Sequence, residues 1–105
     1  VEPLYEDQTG PTGSFAINSK SSYSIGTKTV SFKLTAEDDT AIVYYYISFS
    51  GSTKVSETTS LSLTVTSSIN LSAGNNNFYV WYKDVLGNFS GTYTDSMYCN
   101  SSTCY

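Results

Sequence analysis

Phe78-Tyr79-Val80-Trp81-Tyr82-Lys83-Asp84 alternates with period two and runs into Val85-Leu86-Gly87-Asn88. This pattern predicts a β-strand that delivers a Gly-Asn turn to one end of a sheet. Phe78, Val80 and Tyr82 point one way, and Tyr79 and Trp81 point the other. One aromatic face can fill a core, while the second needs a partner. The alternatives are that long side chains merely cover the sheet, or that inner and outer faces are reversed.

The rest of the chain repeats the alternation. Val30, Phe32, Leu34 and Ala36 share a face against Ser31, Lys33 and Thr35. From Ile42 to Phe49, Val43, Tyr45, Ile47 and Phe49 oppose Ile42, Tyr44, Tyr46 and Ser48. Leu61, Leu63 and Val65 alternate with Ser62, Thr64 and Thr66. Ser14–Asn18 forms a first strand, with Tyr23 and Ile25 as a second half of that edge. A short edge strand falls near Lys54-Val55, a corner at Asn70–Asn76, and a last strand at Thr92–Tyr98. No window carries apolar residues at helical spacing. About seven short strands between turn signals predict an all-β sandwich of two sheets. Its parts are an extended arm at 1–10, the sandwich at 11–98 and a terminal disulfide loop at 99–105.

Composition narrows the function. The 105 residues suit one domain. Charged residues make up only 13%, and Ser, Thr and Asn take their place. With a net charge of −4 and five basic residues, the chain lacks the clustered cations that track phosphates, so nucleic acid is not an expected partner. No segment approaches the roughly 20 apolar residues of a spanning helix. The start at Val1 is what a processed secreted chain, or an excised domain, would show.

Cys99 and Cys104 enclose four residues. With no His and no third Cys, a four-ligand metal site cannot form from them. A small disulfide-closed loop that tidies the terminus is the reading taken, and it implies an oxidising compartment. Two free thiols at a frayed end are the alternative. Catalysis is not expected, since Ser–His and Cys–His pairs are impossible without His. A calcium site is a weaker expectation, built from Asp38, Asp39, Asp84 and Asn88 with Glu6 and Asp7 entering at the same pole. The same residues also serve as ordinary turn formers. Asn70-Leu71-Ser72, Asn88-Phe89-Ser90 and Asn100-Ser101-Ser102 match the N-glycosylation pattern, as chance allows in a chain rich in Asn and Ser.

Pro11-Thr12-Gly13-Ser14-Phe15-Ala16-Ile17-Asn18, Val30 through Asp39, Tyr45-Tyr46-Ile47-Ser48, and Phe78 to Asp84 with Gly87-Asn88-Phe89-Ser90 resemble bacterial immunoglobulin-like repeats of large surface proteins. Those repeats resemble fibronectin type III modules in layout. The resemblance implies an immunoglobulin-like β-sandwich of antiparallel strands, in which the third, sixth and seventh strands share a sheet with the sixth in the middle. Tyr44 and Tyr46 then neighbour Tyr79 and Trp81 as an outward aromatic patch for a protein partner. Leu71, seven residues before Phe78, sits where such a module places a corner Leu ahead of a Tyr, which is Phe78 here. The Cys99…Cys104 tail instead resembles the globular head of a type IV pilin, without the long apolar helix. The expectation is a secreted or bacterial cell-surface module, packing with subunits of the same fibre and with a separate helical pilin chain. The competing expectation is a carbohydrate-binding adhesion module that uses the same rings on a glycan.

Overall fold

The computed structural model describes the backbone of residues 10–38, 42–49, 52–58 and 62–105, and the side chains of all of these except Val43, Ser52, Lys54 and Glu57. Its strands are β1 (Thr12–Ile17), β2 (Gly26–Glu37), β3 (Ile42–Phe49), β4 (Ser52–Glu57), β5 (Ser62–Leu71), β6 (Gly74–Asp84) and β7 (Tyr93–Cys99). They form two antiparallel sheets, ordered β1-β2-β5 and β4-β3-β6-β7. The chain is thus an all-β, immunoglobulin-like sandwich, with β6 between β3 and β7. Among the described residues, no helix is long and apolar enough to cross a membrane.

The inner faces follow the alternation. Val30, Phe32 and Leu34 from β2 and Phe78 and Val80 from β6 are 0% exposed, with Tyr45, Ile47 and Tyr82 close behind. Fully burying each such side chain contributes roughly 1.5–3 kcal/mol. Phe78 anchors the layer, stacking on Phe49 at 4.5 Å and meeting Phe32 across the sheets at 5.4 Å.

Ile42 departs from its expected outward position and is buried at 2% exposure. The β3–β6 register slips between Ile42 and Tyr44, so a bulge there sends Ile42 inward while Tyr45 and Ile47 stay inward. Tyr23 and Ile25 do not extend the first strand. A single turn of 3-10 helix, Lys20–Ser22, follows left-handed Ser19, and Tyr23 then packs against the core. Its hydroxyl oxygen accepts the Ser31 N–H at 2.9 Å. The corner predicted at Asn70–Asn76 tightens to Ser72-Ala73, because β5 runs to Leu71 and β6 starts at Gly74. Buried Asn76 closes that corner: its Oδ1 accepts from Ser72 N–H, and its Nδ2 donates to the Ser72, Gly74 and Met97 carbonyls.

The cysteines are bonded to each other, and both are 0% exposed within the core. The disulfide therefore does more than tidy the end. Tyr98 and Tyr105 exchange two backbone hydrogen bonds of 2.8 Å, and Asn100 Oδ1 accepts the Ser102 and Thr103 N–H groups that turn the loop. Cys104 N–H donates to Tyr23 O at 3.0 Å, tying the tail to the segment before β2. Loop-closure entropy for so short a ring is about 2 kcal/mol, to which burial of the sulfurs adds.

One long side of the sandwich is sewn shut. β1 is an edge strand, and its outward N–H groups need acceptors. Gly13 N–H donates to the Tyr93 hydroxyl at 2.9 Å, and Ile17 N–H donates to Asp95 Oδ2 at 3.0 Å, both from β7. Tyr82, on β6, donates its hydroxyl to Ser14 O at 2.8 Å, so burial leaves that phenol well above its ordinary pKa. Lys20 completes the seam with an ion pair to Asp95 Oδ1 at 2.9 Å.

Partial burial pushes the Asp95 carboxyl up, but hydrogen bonds from the Ile17 amide, Lys20 and the Ser96 amide outweigh it and hold the group below the usual range. A lowered folded-state pKa means that the stabilisation is present above the unfolded value of about 4 and is lost as pH falls through the folded one. Asp95→Asn should lower Tm at pH 7 by roughly 5–10 °C. It should also flatten the fall of Tm between about pH 5 and pH 2. Parallel Tm–pH curves for variant and wild type would show that the seam is not held by this carboxylate.

Candidate functional site

The outer face of the β4-β3-β6-β7 sheet carries the rings. In one row Val55, Tyr46 and Trp81 are successive cross-strand partners. In the next, Tyr44 pairs with Lys83, which bridges to Phe89. The Tyr46 and Trp81 rings stack at 5.2 Å and 5°, as expected of closely opposed cross-strand aromatics. Tyr44 lies 6.4 Å from Tyr46 on one side and Phe89 lies 5.9 Å away on another. The Lys83 ammonium sits over both Tyr44 and Phe89, at 5.9 and 5.2 Å. Such cation–π contacts hold the long lysine flat against the rings.

Of the four predicted interface residues, Tyr44, Tyr46 and Trp81 come together, half-buried against each other. Tyr79 stands one row away, between Ser48 and Thr94, and is 40% exposed. It borders an open, polar hollow lined by Asn77, Thr94, Asp95 and Ser96. Val55 and Phe89, at 51% and 54% exposure, enlarge the ring cluster beyond what alternation indicated. Lys83 is the one charged side chain described on this face.

Phe89 reaches the cluster because the β6–β7 loop is tightly folded. Asp84 is 1% exposed. Its Oδ1 accepts the Leu86 and Asn88 N–H groups, and its Oδ2 accepts from Asn88 Nδ2 at 3.0 Å. Gly87 takes a φ of 91°, where a side chain would be strained. Ser90 returns to β6 through its N–H to Tyr82 O, while its hydroxyl oxygen accepts Tyr82 N–H. Gly10 packs against the Phe89 carbonyl so closely that a Cβ there would lie 1.8 Å from the oxygen. Val85 and Leu86 at the loop tip add further exposed apolar surface.

The residues of the calcium expectation are placed only in part. Asp84 and Asn88 meet in this loop, with the carboxylate turned to backbone and amide donors. Asp38 follows the end of β2 at the same pole, and Asp39, Glu6 and Asp7 lie outside the described residues. Among the described residues no three His, Cys, Asp or Glu side chains gather as a cation cage. The outer face of the four-stranded sheet presents flat rings, a cation held against them, and hydroxyl and amide groups beside Tyr79.

Family models, characterised proteins and solved structures yield no match to this chain.

Asp84→Ala strands the loop donors and should cost roughly 2–4 kcal/mol in urea unfolding, while Asp84→Asn, which keeps one acceptor, should cost less. Loss of Phe89 from the cluster should also raise acrylamide quenching of Trp81, the only tryptophan. Unchanged quenching in Asp84→Ala would separate the loop from the ring cluster.

Proposed function

We propose that this chain is an extracellular, non-catalytic structural module of a surface fibre. It packs through the outer face of its four-stranded sheet onto other subunits, copies of itself among them. The observation that carries this reading is the Tyr46–Trp81 stack, flanked by exposed Val55 and Phe89 on a face with one described charge. Tyr and Trp are favoured at interfaces because each buries a large area with few rotatable bonds. Stacking fixes the rings before contact, so little side-chain freedom is left to lose on association. The formed disulfide fits an oxidising compartment. The resemblance to bacterial surface repeats and to pilin heads supports the fibre, with a separate helical pilin chain as the further partner.

A second reading draws on Tyr79. A ring beside Asn77, Thr94 and Ser96 combines a stacking platform with amide and hydroxyl groups, as a neutral sugar site would. It is a competing role as an adhesion module, and a glycan array without hits would remove it.

Trp81 reports directly on the packing face. Its fluorescence should shift blue and resist acrylamide as protein concentration rises. Tyr44→Ser should leave the fold intact by circular dichroism and raise the concentration needed by about tenfold. Trp81 emission that stays constant up to about 1 mM protein would refute self-packing through this face.

A further inference from the structure

The fold treats the Asn-x-Ser triplets at Asn70, Asn88 and Asn100 differently. An asparagine can take an N-linked glycan where its amide is exposed and the hydroxyl two residues on can reach it. Asn70 is exposed but lies in β5, paired with Thr27. The Ser72 N–H and carbonyl are both bonded to the Asn76 side chain, and among the described residues no hydrogen bond joins the Ser72 hydroxyl to Asn70. Asn88 is half-buried, and its Nδ2 donates to Asp84 Oδ2. The Ser90 hydroxyl is engaged there too, accepting from Tyr82 N–H and donating to Gly91 O. Asn100 differs on each count. It is exposed, as are Ser101 and Ser102, in the loop that the Cys99–Cys104 bond closes. Its Oδ1 accepts the Ser102 and Thr103 N–H groups, each at 2.9 Å, and the Ser102 hydroxyl at 3.2 Å. Among the described residues none accepts from its Nδ2.

We propose that Asn100 is the N-glycan acceptor of this chain, taking an oligosaccharide from a lipid-linked sugar diphosphate. A carboxamide nitrogen is a poor nucleophile because its lone pair is delocalised into the carbonyl. Donors already aimed at Oδ1 stabilise the negative charge that gathers there as Nδ2 gives up a proton. Nδ2 attacks the anomeric carbon, and a C–N bond forms. The bond from that carbon to the diphosphate oxygen breaks, and the lipid diphosphate leaves with the electron pair. The Nδ2 proton passes to a base on the transferase, and nothing is oxidised or reduced. Transferases that hold such donors act on exported chains, a route that fits the formed disulfide. The site thus rests on the extracellular reading above but on neither of its contact surfaces. A glycan at Asn100 also stands clear of the ring cluster. Gly74 pairs with Cys99, and Trp81 lies seven residues further along β6, about 23 Å away at the usual strand rise.

The test is to secrete the full chain from a host whose export pathway carries an oligosaccharyltransferase. Peptide N-glycosidase in heavy-oxygen water then converts each glycosylated asparagine to a labelled aspartate. Peptide mapping should place the label at Asn100 in most molecules and at Asn70 and Asn88 in few. Ser102→Ala should lose the glycan while keeping the wild-type circular dichroism and the disulfide, and Ser102→Thr, which keeps a hydroxyl, should retain it. Secreted protein without label at Asn100, or with as much label at Asn70 or Asn88, would overturn the proposal and leave the packing face untouched. So would a glycan that survives Ser102→Ala, because the hydroxyl on Oδ1 would then play no part.

Discussion

The position of β6 between β3 and β7 is the constraint on which the molecule turns. A strand hydrogen-bonded on both sides can neither rotate nor slip, so its alternate side chains are committed to opposite faces. Phe78, Val80 and Tyr82 fill the core, and Tyr79, Trp81 and Lys83 are pushed outward by the same backbone. The exposed ring face is thus a direct product of the packing that stabilises the domain. A change that buried Trp81 would have to expose Phe78, which touches both Phe32 and Phe49. Core and candidate site are therefore coupled through one register.

A chain with few charges must satisfy its backbone by other means. Here the donors and acceptors are neutral groups at fixed points: the hydroxyls of Tyr23, Tyr82 and Tyr93, the hydroxyl of Ser90 and the amide of Asn76. Two acids that do structural work, Asp84 and Asp95, each accept several N–H bonds, which keeps a carboxylate tolerable where water is scarce. Hydroxyls and amides carry no long-range field. The outer faces can hence approach another neutral surface without the repulsion that a typical charged surface would bring.

Much of this was legible in the sequence because period-two alternation reports burial directly. Val30, Phe32 and Leu34, and then Phe78, Val80 and Tyr82, lie where their spacing put them, and Tyr44, Tyr46 and Trp81 meet on the other face. Ile42 was misplaced because a bulge adds a residue without any mark in composition. Asn76 was read as a corner residue because an asparagine that ties Ser72, Gly74 and Met97 together looks, in sequence, like one that faces water. Phe89 was passed over because its place depends on Asp84 folding the loop back, a contact between side chain and backbone that no periodicity reports. The burial of Cys104 was likewise hidden, since it rests on pairing with Tyr23, more than eighty residues earlier.

The faces and edges of the sandwich bear on what kind of assembly such a domain can build. A single self-complementary surface closes at a dimer, because each copy uses its patch once. A fibre needs a second surface that the first contact leaves free. The ring face lies on the outside of the four-stranded sheet, and the three-stranded sheet has an outer face of its own, so occupying one does not consume the other. Two different two-fold contacts, used alternately, generate an open row instead of a closed pair. The β1–β7 side has outward N–H groups of β1 already bonded to Tyr93 and Asp95, with Lys20 paired to Asp95, so that flank has fewer free donors to present to a further strand. Ordered extension and disordered aggregation draw on the same backbone hydrogen bonds, and which edges are left open decides between them.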